Sequence, residues 1–245
     1  PPRSTLSSSS AASDVYKRQI FNFLAILFSI PVVVALIYGE IDTIPYFLIT
    51  SGVTLILGNV LIFYTCTKKP MELKHAICLV ALTWVLASVL ASTPLWLANA
   101  TSSYLDANFE SLSGFTGTGL TVAVDIDHMA HSVNFHRHLL QFVGDGIGII
   151  VVSLTILGRT EISSVLAFRG EAREEGIRPS VVRTSRTIFG IAITFLLIGA
   201  IMFAIAGLHE GLDLRSSIFD GFCHSMTGYA TGGFSTRSQN LLYYH

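Results

Sequence analysis

A chain of 245 residues that is 51% hydrophobic and 13% charged, with a mean hydropathy of +0.61, has too little polar surface to cover a soluble globule, so a membrane protein is the default reading. The formal net charge of −1 leaves no basic excess to neutralise phosphates and argues against nucleic acid as a partner. Cys66, Cys78 and Cys223 stand singly, without disulfide or metal spacing, and read as small packing residues.

Residues 1–19 are serine-rich and polar, lack an apolar face, and do not follow the charge-then-apolar order of a signal peptide; they are expected to be a disordered or non-native tail. Five apolar stretches follow that suit a hydrocarbon core of about 30 Å, which takes roughly 20 helical residues. They run near Ile20 to Tyr38, Tyr46 to Cys66, Ala76 to Ala98, His138 to Leu157 and Ile188 to Leu208. Pro31 and Pro94 fall inside the first and third, as transmembrane helices tolerate. Lys68, Lys69 and Lys74 lie between spans two and three, and Arg159, Arg169, Arg173, Arg178, Arg183 and Arg186 between spans four and five. The positive-inside rule makes both loops and the N-terminus cytoplasmic, with Arg137, Arg215 and Arg237 as exceptions on the outer side.

The outer stretch after span three contains TSSYLDANFESLSGFTGTGLTV, too apolar for an ordinary solvated loop. Ser102 or Ser103 caps a predicted short helix, with Asp106 and Glu110 in its early turns favoured by the N-terminal dipole. Ending near Phe115, this helix is on the order of 18 Å long, half a membrane. A half-length helix followed by glycine-rich chain describes a re-entrant loop, tolerated at membrane depth only against protein or a watery cavity.

The unit occurs twice. SSYLDANFESLSGFTGTGLT (Ser102 to Thr121) aligns without a gap on SSIFDGFCHSMTGYATGGFS (Ser216 to Ser235). Ser102, Ser103, Asp106, Ser111, Gly114 and Gly119 match Ser216, Ser217, Asp220, Ser225, Gly228 and Gly233, while Ser113 with Thr227 and Thr121 with Ser235 keep their character. Repeats in membrane proteins commonly place the substrate path at their interface. A cation entering a bilayer must exchange its water for other oxygens, and extended backbone supplies carbonyls for that purpose. Gly119 and Gly233 are the leading candidates, with Gly117, Thr118, Thr231 and Gly232 beside them.

With these residues in view, the span, half-helix, loop, span plan resembles the superfamily of bacterial Trk and Ktr and plant HKT transporters. SGFTGTGLT and TGYATGGFST are similar to the Trk potassium-uptake membrane subunit, and RHLLQFVGDGIGIIVVSLTILG (Arg137 to Gly158) resembles the span after its first filter, RSLLQWIGGMGII. The resemblance covers nearly everything from about residue 20 onward. It implies an all-α polytopic membrane protein in which an N-terminal two-helix hairpin (20–70) precedes pore repeats built as span, half-helix, filter loop and span. The first repeat is 71–158 with its re-entrant loop at 102–121; 159–186 is a cytoplasmic loop; 187–245 is the first half of a second repeat with its loop at 216–235, so the chain is expected to be an N-terminal fragment truncated in that repeat. The implied potassium filter is Thr116, Gly117, Thr118 and Gly119 with Ala230, Thr231, Gly232 and Gly233. Potassium is then substrate, with no bound cofactor. The implied setting is a bacterial inner membrane, as a homodimer meeting a cytoplasmic nucleotide-binding regulatory subunit through 159–186. Gly117 stands where the family more often has threonine, and Asp145 where it often has glycine.

GDGIG, Gly144 to Gly148, echoes a dinucleotide fingerprint but has no βαβ unit around it, and Gly144 with Gly148 reads as a helix-packing pair. His128, His131, His136 and His138 are too irregularly spaced to favour a metal site. No nucleophile, base and orienter occur together, so the chain is not read as an enzyme. Potassium uptake through a channel-like path leads; a secondary transporter of a small organic solute and a non-conducting membrane scaffold are the alternatives.

Overall fold

At membrane depth each backbone polar group must be satisfied within its own segment, which favours helices. The computed structural model describes residues 7–65, 73–148 and 178–244, and among them no strand occurs. Helices α1 (Ser7–Tyr38), α2 (Ile44–Thr65) and α3 (Leu73–Leu97) are followed by the short α4 (Tyr104–Phe115). Then come α5 (His131–Gln141), α6 (Arg178–His209) and α7 (Leu214–Tyr229). A 3₁₀ turn, Ile41–Thr43, joins α1 to α2, and α5 runs on as a π-helical turn, Phe142–Gly148. Phe21–Tyr38, Ile41–Val60 and Thr187–His209 are long and apolar enough to cross a bilayer, and α3 carries a shorter apolar stretch, Trp84–Leu97. Pro31 and Pro94 sit inside α1 and α3 without ending them.

Two starts differ from the sequence-based expectation. α1 begins at Ser7, inside the stretch expected to be a disordered or non-native tail; extending an existing helix through Ser and Ala costs far less than nucleating one. α5 begins at His131 rather than His138, because Glu40 caps it: its Oε1 accepts from His131 N at 2.6 Å and its Oε2 from Ser132 N at 2.9 Å. Residues 149–157 of the fourth expected span, 159–177 of the expected cytoplasmic loop, and Cys66, Lys68 and Lys69 lie outside the described residues.

The chain divides into two compact units. The first holds the chain up to Phe109 with Val122–Val124 and His128–His136. Its core gathers Phe47, Leu95, Ala100, Ala107 and Val133 from four elements and the turn after α3. Glu40 and Thr43 fasten the α1–α2 turn to the start of α5, the Thr43 and Ser132 hydroxyls meeting at 2.9 Å and the Tyr38 ring stacking on His131 at 3.9 Å. His136 is fully buried, its Nε2 2.9 Å from the Ala91 carbonyl and its ring edge-on to Phe28 and Phe47.

The second unit holds Glu110–Thr121, Asp125–Asp127 and the chain from Arg137 onward. The division falls inside the first expected repeat and groups its loop with the second copy. Here α6 and α7 pack through small residues: Ser217, Gly221 and Ser225 recur every fourth residue on α7. A Cβ built on Gly221 would lie 2.5 Å from the Ala200 carbonyl oxygen, and Ser225 Oγ donates to Leu196 O at 2.7 Å. Such seams let backbones approach closely where lipid supplies no hydrophobic drive for association.

Candidate functional site

Both half-helices end in the same way. In α4, Gly117 N donates to Gly114 O at 3.1 Å and Thr118 N to Ser113 O at 3.0 Å. In α7, Thr231 N donates to Gly228 O at 3.2 Å and Gly232 N to Thr227 O at 3.0 Å. This paired closure is the Schellman motif, whose first residue beyond the helix adopts a left-handed conformation. Gly117 (φ 65°) takes that position in one copy and Thr231 (φ 53°) in the other. Glycine accepts it without strain, whereas a β-branched threonine held there costs about 1–2 kcal/mol.

The starts are capped differently. Ser103 Oγ accepts from Asp106 N at 3.1 Å and donates to Asp106 Oδ2 at 2.8 Å, as the serine at the head of α4 predicts. At α7 the cap is Asp213, whose side chain accepts from Arg215 N at 3.0 Å and Ser216 N at 3.1 Å; hydrogen bonding by Ser216 holds this carboxyl below its ordinary range. The aligned unit starts at Ser216, downstream of this cap.

The structure brings the two expected loops together at one point. Gly119 (φ 73°) lies against Gly233: a Cβ built on Gly119 would sit 2.7 Å from Gly233 Cα, and one built on Gly233 would sit 3.3 Å from Gly119 O. No side chain fits at Gly119, whereas the contact at Gly233 is tight but can be relieved by a small shift. Thr116, Thr118, Thr231 and Gly233 are exposed, Gly117, Gly119 and Gly232 are half-buried, and Ala230, Phe115 and Phe234 are buried. The Thr116 and Thr118 hydroxyls bond each other at 2.7 Å, and Ser113 Oγ donates to Leu120 O at 2.7 Å.

A polar support lies behind the loops. Glu110 and Arg137 are each 1% exposed and form an ion pair, with Arg137 Nη2 2.6 Å and Nε 2.8 Å from Glu110 Oε1. Thr121 Oγ1 donates to the same oxygen at 2.9 Å and accepts from Arg137 Nη2 at 3.1 Å. Arg137 also reaches the second copy: its guanidinium lies 4.4 Å from the centre of the Phe234 ring and its Nη1 3.4 Å from Ser235 O. The corresponding tie in the second copy joins His224 Nε2 and Ser235 Oγ at 3.1 Å. Glu110 and Thr121 align with His224 and Ser235, so each half-helix holds the hydroxyl at the far end of its own loop.

Arg137 was legible as an exception to the positive-inside pattern and as the start of the segment resembling RSLLQWIGGMGII, and Glu110 only as a helix-dipole residue. The repeat carried one signal toward this support, a hydroxyl residue at the same step of each copy, Thr121 and Ser235. α5 and its π-helical extension provide three further contacts. Gln141 is buried, its Oε1 accepts from Thr227 Oγ1 at 2.8 Å, and it fills the place of a side chain at Gly232. Gly144 lies under Phe115, where a Cβ would fall 2.6 Å from Phe115 Cα. Asp145 fills the place of a side chain at Gly117. Beyond the second loop, Tyr244 OH donates to Asp220 Oδ2 at 2.8 Å, and Ser238 Oγ donates to Asp127 Oδ2.

Comparison with known proteins gives this geometry a family. The family model described as TrkH, cation transport protein, matches residues 43–245. A protein of Methanocaldococcus jannaschii named as an uncharacterized cation transporter is 34% identical over 224 residues, which are 91% of this chain and 45% of that protein. The Trk system potassium uptake proteins TrkG and TrkH of Escherichia coli are 30% and 33% identical over 237 residues, covering 91% and 92% of this chain and 46% and 47% of their own lengths. The crystal structure of the potassium transporter TrkH from Vibrio parahaemolyticus matches with a TM-score of 0.70 at 28% identity, over 98% of this chain and 46% of that one. The chain thus spans about half the length of the curated relatives it matches.

Proposed function

Because this chain belongs to the TrkH family of cation transport proteins, we propose that it forms part of a potassium-uptake transporter whose ion path is lined by backbone carbonyls of Thr116–Gly119 and Ala230–Gly233. The observation that carries this reading is the approach of Gly119 to Gly233 at the same step of two copies that close their helices alike. Carbonyl oxygens held in such loops replace the water of a weakly hydrated monovalent cation without needing a ring of carboxylates. The half-helices turn their partly negative C-terminal ends toward the loops, which favours a cation over an anion. Arg137 and Glu110 neutralise each other behind the path and hold the loops in register.

The same reading carries a multi-pass protein of the cell membrane with its N-terminus in the cytoplasm, a homodimer, and a cytoplasmic nucleotide-binding subunit docking on residues 159–186. The test uses the full-length protein in potassium-starved cells, measuring rubidium uptake with sodium as competitor. Gly119→Ser lowers uptake and the preference for potassium over sodium. Unchanged uptake and unchanged preference in that variant sink the filter assignment, and accumulation of an organic solute indifferent to potassium replaces the reading.

A further inference from the structure

Asp145 sits in the π-helical turn after α5, a local widening of the helix that recurs at functional sites. Its carboxylate occupies the volume that a side chain at Gly117 would take: a Cβ built there would lie 2.5 Å from Asp145 Oδ2 and 2.6 Å from its Cγ. Asp145 is half-buried, and among the described residues no hydrogen bond or ion pair compensates it. Carboxylates at membrane depth are costly and persist against a partner or a watery cavity. Here the adjacent chain is the foot of the first loop, where the exposed Thr116 and Thr118 bond each other through their hydroxyls. The aligned position of the second copy is arranged otherwise, since Thr231 carries its own side chain in the left-handed position. One loop therefore has a carboxylate in contact with its foot, and the other has a threonine there.

We propose that Asp145 is a cation-binding and specificity-determining residue, whose carboxylate holds a partly hydrated monovalent cation beside Gly117 as it enters or leaves the carbonyl-lined path. This rests on the uptake reading of the two loops and adds a charged side chain to a path otherwise built of neutral oxygens. A full negative charge raises the local concentration of cations, most strongly in a site screened from bulk solvent. It also favours tighter retention of small or divalent ions than carbonyls alone give.

The test again uses the full-length protein, in two measurements. Rubidium uptake is followed against rubidium concentration, with barium as inhibitor, and melting of the purified protein is followed in rubidium chloride against choline chloride. Asp145→Asn is expected to raise the apparent KM for rubidium about tenfold, to weaken barium inhibition by a similar factor, and to lose part of the rubidium-dependent rise in melting temperature. Its melting in choline should match the wild type. Asp145→Ser, which removes the charge and shortens the side chain, should behave likewise and guards against an effect peculiar to asparagine. Wild-type KM, barium inhibition and rubidium-dependent melting in both variants overturn this inference alone, and so does destabilisation in choline with unchanged KM, which makes Asp145 a packing residue. Failure of the wild-type protein to take up rubidium overturns the uptake reading and this inference with it.

Discussion

Replacing Gly119 by alanine adds one methyl group at a point where two loop backbones touch. Two costs combine. The left-handed φ of 73° penalises any L side chain by about 1–2 kcal/mol. The methyl would lie 2.7 Å from Gly233 Cα, and forcing such overlap into packed structure costs about 1–3 kcal/mol. Their sum, about 2–5 kcal/mol, is met by moving the loop. A misplaced loop that raises the barrier to ion passage by about 3 kcal/mol slows uptake on the order of a hundredfold. Gly233 provides the internal control. Its φ is not positive, and a methyl there would lie 3.3 Å from Gly119 O, a contact relieved by a shift of a few tenths of an ångström. Gly233→Ala should therefore cost less than about 1 kcal/mol and slow uptake less than about tenfold. Rubidium influx into potassium-starved cells, normalised to protein in the membrane, measures both. Equal damage from the two variants, or near wild-type influx with Gly119→Ala, refutes the geometric reasoning.

Arg137→Met leaves Glu110 buried without its partner and should cost about 3–5 kcal/mol in detergent melting, much of it recovered in Arg137→Met/Glu110→Leu; equal melting of the single and double variants removes the ion pair from the account. Burial pushes the Glu40 carboxyl up, but hydrogen bonds from His131 and Ser132 outweigh it and hold its pKa at about 2, below the ordinary 4.5. The stabilisation is therefore complete above pH 4.5 and lost as pH falls from there toward about 2. It amounts to about 2 kcal/mol after discounting for partial exposure, and Glu40→Gln should abolish this acid step in melting temperature. Gly144→Ala should lower stability by about 1–3 kcal/mol, because its Cβ would strike the Phe115 backbone, whereas Gly190→Ala, with nothing within 4 Å, should not.

The local parts of the architecture could be read from the sequence because their causes are local. Apolar runs became helices, Ser103 heads α4, and the glycines after Phe115 mark its end. The support behind the loops was not legible in the same way. Arg137 pairs with Glu110 across 27 positions and approaches Ser235 across 98, and no helical or strand period reports such separations. The early start of α5 has the same origin, since its cap is Glu40, 91 positions away. Asp213 was not legible for a different reason: the two copies are capped by different residues, and the cap of α7 precedes the repeated unit. Gly117 and Asp145 each stood out in the sequence, but only the fold puts one in the space left by the other.

The contact of Gly119 with Gly233 also bears on how the protein is made. The two residues are 114 positions apart, which at 5–20 residues per second is about 6–23 s of translation. Until Gly233 is made, the first loop lacks the backbone neighbour that it meets in the folded chain, and Arg137 lacks Phe234 over its guanidinium. The loop's early shape must therefore come from within its own copy: the helix closure at Gly117 and the grip of Glu110 on Thr121. Those short-range bonds act as a holding pattern during biogenesis, and the final fit is a late event in the life of the nascent chain.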